Sequence, residues 1–183
     1  MYNYRISKYN PICRNKEKVY LKNDWTSFTD IGKEFNDGKL QKKKYLMVEN
    51  QYIEFFINLF ASLRIKNIFV QGLEKYIKYK DIELMMKEYD LLLSEKQKII
   101  FDNIYEGCRY DINDLGNIIV LLMRDCMWCR ILDENNMIEV DIGYELYFHI
   151  NSKSKIAFLE SFEQQGMLYL EKYWLKENDI QIF

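Results

Sequence analysis

The spacing of apolar residues changes along this chain near Asp125. Before that point apolar side chains recur every three to four residues, the period of helices with one buried face. After it apolar and polar residues alternate, as in half-buried strands, and a similar alternation covers residues 2–9. We therefore predict an α+β fold with a largely antiparallel sheet, made of an N-terminal strand, a C-terminal hairpin and a final strand, packed on about four to five helices.

Five helices are expected between residues 41 and 165. The segments are 41–63, 81–93, 94 to about 107, 111–125 and 156–165. Ser94 and Gln97 fit the capping box that starts a helix, and Gly107 is placed to end that helix in the left-handed conformation. Gly116 lies inside the fourth helix, where a glycine costs about 1 kcal/mol relative to alanine. Close packing against a neighbouring element would offset that cost.

The segment before the first helix is rich in polar residues and contains the chain's single proline. We interpret residues 10–38 as a long ordered loop. Trp25 and Phe28 are expected to pin this loop to the core, because buried aromatic rings carry a large apolar area. The wide apolar coverage of the first helix leaves its polar residues, among them Glu49, for solvent.

Two strands joined by a turn are expected after Asp125. Residues 128–132 form the first strand, 133–136 the turn and 137–150 the second strand, and 167–174 form a final strand. Apolar residues occupy every even-numbered position from 138 to 150. Gly143 therefore does not shift the alternation of faces, and we expect at most a bend there. Five side chains of the other parity then point to one side of this strand: Glu139, Asp141, Glu145, Tyr147 and His149.

The length of 183 residues predicts one domain, residues 1–183, because a single core becomes hard to extend only beyond about 250 residues. A net charge of −2 argues against a chain that coats nucleic acid or anionic lipid with its whole surface. That total hides a gradient. Residues 1–80 carry 16 basic and 8 acidic side chains, a net charge of +8, and residues 81–183 carry 10 and 20, a net charge of −10.

The sequence predicts a cytoplasmic protein that makes no membrane contact. The charge-free runs at 55–63 and 115–123 have nine residues each, about half of what a bilayer span needs. The first twenty residues are basic without an apolar core segment, which is atypical of a secretory signal. The four cysteines are expected to be reduced, since a core of this size needs no disulfides.

Catalytic and cofactor motifs have little support. Cys126 and Cys129 are spaced like a redox or zinc pair, but they follow a helix, whose C-terminal dipole disfavours a thiolate. His149 is the chain's single histidine, and Glu145 lies about 13 Å from it along a strand, too far to orient the imidazole. Glu139 and Asp141 could bind a divalent ion, although no lysine completes a nuclease pattern. We expect no catalytic residues, no metal and no cofactor.

The acidic and aromatic face formed by Glu139, Asp141, Glu145, Tyr147 and His149 is the predicted partner-binding site. Carboxylates beside an aromatic ring can steer and anchor a basic protein, because the charges raise the association rate and the ring supplies contact area. The alternative interpretation is a solvated sheet face, or one covered by the basic N-terminal half.

Residues 141–150 follow the strand at 128–132 and precede residues 168–173, and they contain a Gly-Tyr-acid-x-Tyr element at 143–147. Together with residues 25–32, this pattern resembles small uncharacterised bacterial α+β proteins of toxin-immunity loci. The resemblance implies a cytoplasmic protein that binds and blocks a cognate toxin. It supplies no catalytic residues.

Two alternatives come from other classes of function. One is a small enzyme with a cleft formed by the 10–38 loop, using Asp30, Glu34 or His149. The other is a regulatory module that binds nucleic acid through the basic N-terminal half, which is disfavoured because few aromatic residues alternate with its lysines.

Overall fold

The computed structural model describes residues 1–75, 79–162 and 164–172. The strands in these ranges are β1 (Tyr2–Ser7), β2 (Glu34–Phe35), β3 (Gly38–Lys39), β4 (Asn67–Glu74), β5 (Arg109–Asp111), β6 (Trp128–Asp133), β7 (Ile138–Ile142), β8 (Phe148–Ser152), β9 (Gln164–Gln165) and β10 (Leu168–Lys172). The helices are α1 (Lys42–Ser62), α2 (Tyr79–Glu88), α3 (Glu95–Asn103), α4 (Leu115–Met123) and α5 (Ala157–Ser161).

Within the described residues, eight strands form one sheet in the order β5-β4-β6-β7-β8-β1-β10-β9. Every pair in it is antiparallel, and β2 and β3 form a separate small ribbon. The predicted α+β class with an antiparallel sheet is confirmed. β1 lies between β8 and β10. The N-terminal strand therefore pairs on both sides with strands from the C-terminal part of the chain.

All five helices pack on one face of the sheet. Buried residues of every helix join a single apolar cluster with Ile6, Ile68, Ile131, Val140 and Ile150 of the strands. The expected close packing of Gly116 is confirmed, because a Cβ there would lie 3.1 Å from Ile53 Cγ2 of α1. Trp25 and Phe28 are both buried, so the loop is pinned to the core as predicted.

Several predicted boundaries are wrong. The helix expected at 81–93 ends at Glu88, that at 94–107 ends at Asn103, and that at 156–165 covers Ala157–Ser161 alone. Gly107 does have a positive φ of 79°, but it lies in the turn before β5. Strands β4 and β5 were not predicted. Of the final predicted strand, residues 173–174 lie outside the described residues.

The predicted strand at 137–150 is two strands. β7 and β8 are joined by a tight turn in which the Gly143 backbone N–H donates to the Tyr147 carbonyl at 2.6 Å. Glu145 and Leu146 both have a φ of 60°, outside the region of regular strands. The turn spans the five residues 143–147. Because this number is odd, Ile142 before the turn and Phe148 after it have the same parity, and the sequence pattern looks like one continuous strand.

Candidate functional site

The face of the sheet opposite the helices is polar. Six side chains occupy successive register positions across six strands, and we call this row and its neighbours the polar face: Gln71, Arg130, Asp141, His149, Arg5 and Glu171. Each row residue alternates along its strand with core residues, so it points away from the helices. The charged side chains of the row alternate in sign from Arg130 to Glu171.

Polar side-chain contacts connect neighbouring strands of the polar face. His149 Nδ1 lies 3.1 Å from Asp141 Oδ1, and Arg130 Nη1 lies 3.7 Å from Glu139 Oε2. All four side chains are partly exposed. The carboxylates of Glu139 and Asp141 are therefore held in fixed positions while they remain accessible.

Tyr147 lies where the polar face meets the N-terminal segment. Its hydroxyl accepts a hydrogen bond from Arg14 Nη2 at 3.1 Å, and the Arg5 guanidinium stacks 4.8 Å from the ring centroid. The Tyr9 ring packs against the same side chain at 4.9 Å. Arg5 and Arg14 both pair with one oxygen of Glu171, at 3.0 and 3.3 Å.

The structure brings together most of the predicted site. Glu139, Asp141 and His149 share the polar face, and Tyr147 borders it. Glu145 lies in the turn between β7 and β8, exposed and away from the row. Arg5 and Arg130, which complete the row, were not predicted, although each occupies the polar parity of its strand in the sequence.

The pairing of His149 with Asp141 was missed for a specific reason. On one continuous strand the two residues would lie about 26 Å apart, at roughly 3.3 Å per residue. The turn at 143–147 makes them cross-strand neighbours instead, so the carboxylate that orients the imidazole is Asp141 and not Glu145.

A concavity of about 350 Å³ opens on the polar face beside this row. Leu132, which is buried, contributes apolar surface, and Gln71 and Glu139 contribute acceptor oxygens. Lys153 also lines it. The concavity is large enough for one long side chain of a partner.

The cysteine pair has no sign of redox or metal chemistry. Cys126 and Cys129 are fully buried, and burial raises the pKa of both thiols to about 12. Within the described ranges, no three His, Cys, Asp or Glu side chains are grouped so that they could hold a metal ion. Cys126 and Cys129 are packed core residues.

The residues of the enzyme alternative have structural roles in the 10–38 loop or lie apart from it. The Asp30 carboxylate accepts backbone N–H groups from Thr26 and Ser27 and pairs with Lys33 at 2.8 Å. Glu34 is an exposed residue of β2. These contacts order the loop.

Several cations of the basic N-terminal half, which the nucleic-acid alternative requires, are already paired. Lys8 pairs with Asp24 at 2.9 Å, Arg14 with Glu171 at 3.3 Å and Lys42 with Asp90 at 2.6 Å. Their charges are partly compensated within the fold, which weakens a phosphate-binding surface.

In the part of the chain that is described, every helix is too short or too polar to cross a bilayer. Comparison of the chain with known protein families, curated protein sequences and solved structures gave no match.

Proposed function

We propose that this chain is a non-enzymatic binding protein of the immunity or inhibitor type, which neutralises a cognate bacterial toxin. The proposed contact surface is the polar face with its adjoining turn, and the proposed partner residues are Glu139, Asp141, Glu145, Tyr147 and His149. One observation carries the proposal: two accessible carboxylates lie on the same face of β7, where Glu139 lies 3.7 Å from Arg130 and Asp141 lies 3.1 Å from His149 Nδ1.

Fixed carboxylates favour recognition of a basic partner because little side-chain entropy remains to be lost on binding. Each of these contacts involves one oxygen of its carboxylate, and a lysine or arginine of the toxin can donate to the other. Charge-assisted hydrogen bonds of this kind are roughly twice as strong as neutral ones. Glu145 adds an exposed negative charge at the end of the same hairpin.

The concavity beside the row gives such a cation a place to dock. An arginine or lysine stem would contact Leu132, while its head reaches Glu139 and the amide oxygen of Gln71. Lys153 at the same concavity selects against a partner that presents more than one cation at this point.

The proposal is tested by co-expression in a bacterial host. The products of the genes that flank this one are each produced alone, and a product that arrests growth, which we call the toxin domain, is then produced together with this chain while growth is measured. Wild-type chain should restore growth. Charge reversal of Glu139, Asp141 and Glu145 to lysine should abolish protection and weaken binding of the purified toxin domain by about 100-fold or more.

A matched control reverses three exposed carboxylates on the helical side of the molecule, Asp81, Glu88 and Asp102. It produces the same change in net charge and should protect like wild type. If the Glu139/Asp141/Glu145 variant bound the toxin domain with unchanged affinity, the proposed contact surface would be wrong. If the wild-type chain did not protect the host, the proposed function would be wrong.

A second candidate function is hydrolysis of an anionic phosphodiester, in which His149 accepts a proton from the water that attacks phosphorus while the ester oxygen leaves; it is favoured by the contact of Asp141 with His149 between the neighbouring arginines Arg5 and Arg130. A carboxylate-oriented imidazole is a common general base. Turnover of bis(4-nitrophenyl) phosphate by wild-type chain, lost in His149→Gln and retained in Arg109→Gln at a distant exposed position, would support it. Absence of turnover by the wild-type chain would exclude this reaction.

A further inference from the structure

Residues 12–22 form a small hairpin, which we call the N-terminal hairpin. Arg14 and Tyr20 pair in antiparallel fashion. The Leu21 N–H donates to the Cys13 carbonyl and the Asn15 N–H to the Val19 carbonyl, each at 3.0 Å. The hairpin therefore has two faces, and residues flanking the Arg14–Tyr20 pair point away from it.

In this hairpin a charged side chain is buried and aliphatic side chains are exposed, the reverse of the usual arrangement. Its inner face holds a charged residue, Arg14, whose side chain is only 7% exposed, and Tyr20, whose ring packs 4.9 Å from that of Tyr9. Val19 and Leu21 have the opposite parity to Tyr20 and are 56% and 66% exposed, and Ile12, in the 3₁₀ turn Pro11–Cys13 that leads into the hairpin, is 88% exposed. Exposed aliphatic clusters on a folded protein commonly mark interaction sites.

The hairpin is held rigidly. Arg14 Nη1 donates to the Lys18 carbonyl at 3.0 Å, Arg14 Nη2 donates to the Tyr147 hydroxyl, and the Asn15 side chain accepts the Val19 N–H at 2.8 Å. A pre-organised apolar projection loses little entropy when it docks, so its contacts contribute more fully to affinity.

The surroundings of the aliphatic cluster are basic. Lys16, Lys18 and Lys22 are exposed, with Glu17 as the one acidic residue in the hairpin. The hairpin also sits over the end of the polar face, because Arg14 reaches down to Tyr147 and Glu171. The N-terminal hairpin and the polar face are therefore neighbours on the molecular surface.

We infer that Ile12, Val19 and Leu21 are the apolar anchor of the toxin interface and insert into an apolar pocket of the toxin domain that is rimmed by carboxylates. Lys16, Lys18 and Lys22 pair with that rim. The inference rests on the proposed function and deepens it, because it states the chemistry of a second, acidic contact region on a partner whose other contact region is basic.

The test uses as its probe the toxin domain identified by the co-expression experiment, titrated against the full chain. Ile12→Ser/Val19→Ser/Leu21→Ser should raise Kd by about 100-fold or more, because three aliphatic side chains lose their burial. The matched control, Leu84→Ser/Leu92→Ser/Ile99→Ser, removes three comparably exposed aliphatic residues from the α2–α3 side. It should leave Kd within about threefold of wild type. Thermal unfolding of both variants checks that they are folded.

A direct readout on unmodified chain comes from Cys13. It is the one cysteine of the hairpin and is half-buried, whereas Cys108, Cys126 and Cys129 are buried. Saturating toxin domain should slow alkylation of Cys13 by N-ethylmaleimide by about tenfold or more, since the hairpin becomes covered.

The outcomes separate the two proposals. If wild-type chain does not bind the toxin domain, the proposed function fails. If wild type and the Ile12/Val19/Leu21 variant bind equally, or Cys13 alkylation is unchanged in the complex, the function stands and the anchor is overturned. Binding of wild-type chain to phosphatidylglycerol vesicles, or dimerisation, that is lost only in this variant would also overturn it, since the cluster would then have another occupant.

Discussion

Lys8 has the most unusual environment of the charged residues at the end of β1. Its side chain is 3% exposed and its ammonium lies 4.1 Å from the Tyr9 ring centroid and 4.2 Å from that of Trp25. Asp24 Oδ2 lies 2.9 Å away. The cation thus joins the sheet to the 10–38 loop, and the two rings replace part of the hydration that it loses.

Lys8 should make stability depend on pH above neutrality. Burial lowers the pKa of its ammonium from 10.5 to about 8, so between these values the unfolded chain holds a proton that the folded chain has released. Linkage then raises the free energy of unfolding with pH. Relative to Lys8→Met, wild type should gain about 2 kcal/mol between pH 7.5 and 9.5 in urea unfolding.

The comparison with Lys8→Met cancels the titration of other groups, including the tyrosines, which are common to both proteins. Lys16→Met, at an exposed lysine of the N-terminal hairpin, serves as the control and should differ from wild type by the same amount at every pH. A constant difference between wild type and Lys8→Met would contradict the prediction.

Glu49 and Arg124 form a buried ion pair between α1 and the end of α4. The Arg124 Nε and Nη2 donate to the two Glu49 oxygens at 2.8 and 2.6 Å, and Nη1 donates to the Leu91 carbonyl at 2.9 Å. Glu49→Gln keeps the side-chain size but leaves the guanidinium buried without its counter-charge. We expect a loss of about 3–5 kcal/mol in the free energy of unfolding.

The exposed pair of Lys42 and Asp90 is the matched case, because its 2.6 Å distance is equally short. Asp90→Asn should cost under about 1 kcal/mol, since solvent screens both charges. Similar losses from Glu49→Gln and Asp90→Asn in denaturant titrations would show that burial does not decide the strength of these pairs.

At the level of elements, the sequence correctly predicted the features of helices that depend on residues close together in the chain. The apolar period of α1 and the capping box of Ser94 and Gln97 depend on residues within a turn or on a single helix face, and the close packing of Gly116 was indicated by the local cost of a glycine inside a helix. The structure shows each of them. Strand β4 was missed because no turn chemistry separates it from α1 and its buried residues, Ile68 and Val70, are few.

Long-range pairing accounts for the other errors. Glu49 was expected in solvent, and its burial depends on Arg124, 75 residues away. The reversal at 143–147 uses Glu145 and Leu146 in left-handed conformations, which sequence preference assigns to glycine or asparagine. Glu139, Asp141 and His149 therefore share one face of the sheet as the alternation predicted, but the cross-strand positions of Arg5 and Arg130 beside them were not predicted.

The edge of β4 contains a bulge that Glu106 stabilises. Register shifts between Gln71 and Glu74, Gly72 has a φ of 64°, and the Glu106 oxygens accept the N–H groups of Gly72 and Leu73 at 3.0 and 2.8 Å. These backbone donors hold the pKa of Glu106 below its usual value. The carboxylate also blocks an edge that could pair with another chain.

Glu106→Ala should expose both amides to solvent exchange. By hydrogen–deuterium exchange at neutral pH, protection at Gly72 and Leu73 should fall by about tenfold or more, with protection at Ile131 in β6 unchanged. The control Glu88→Ala removes an exposed carboxylate from α2 and should alter neither amide. The pKa of Glu106 is lower in the folded chain than in the unfolded chain. The stabilisation that its carboxylate gives to the bulge is therefore fully present above the ordinary glutamate pKa, and it is lost as pH falls through the lowered pKa of the folded chain. Retained protection in Glu106→Ala would mean that the bulge needs no cap.

Over the whole molecule, the oppositely charged halves of the chain meet in the fold. Arg5 and Arg14 of the first half pair with Glu171 of the second, and Lys42 pairs with Asp90. The same topology places β1 between β8 and β10, so the strand that carries Arg5 must find partners about 145 to 165 residues away. Closure of the sheet at β1 is the least local step of folding.

This closure should come late in folding, because distant contacts cost the most loop entropy before they form. Ile6 in β1 and Ile131 in β6 are both fully buried, but Ile131 lies in the local β6–β7 hairpin, opposite Val140. Ile→Val at either position should cost about 1 kcal/mol. In stopped-flow measurements Ile6→Val should speed unfolding about fivefold and leave the folding rate unchanged, whereas Ile131→Val should slow folding. If Ile6→Val slowed folding and Ile131→Val only sped unfolding, β1 would belong to the folding nucleus and the β6–β7 hairpin would form after it.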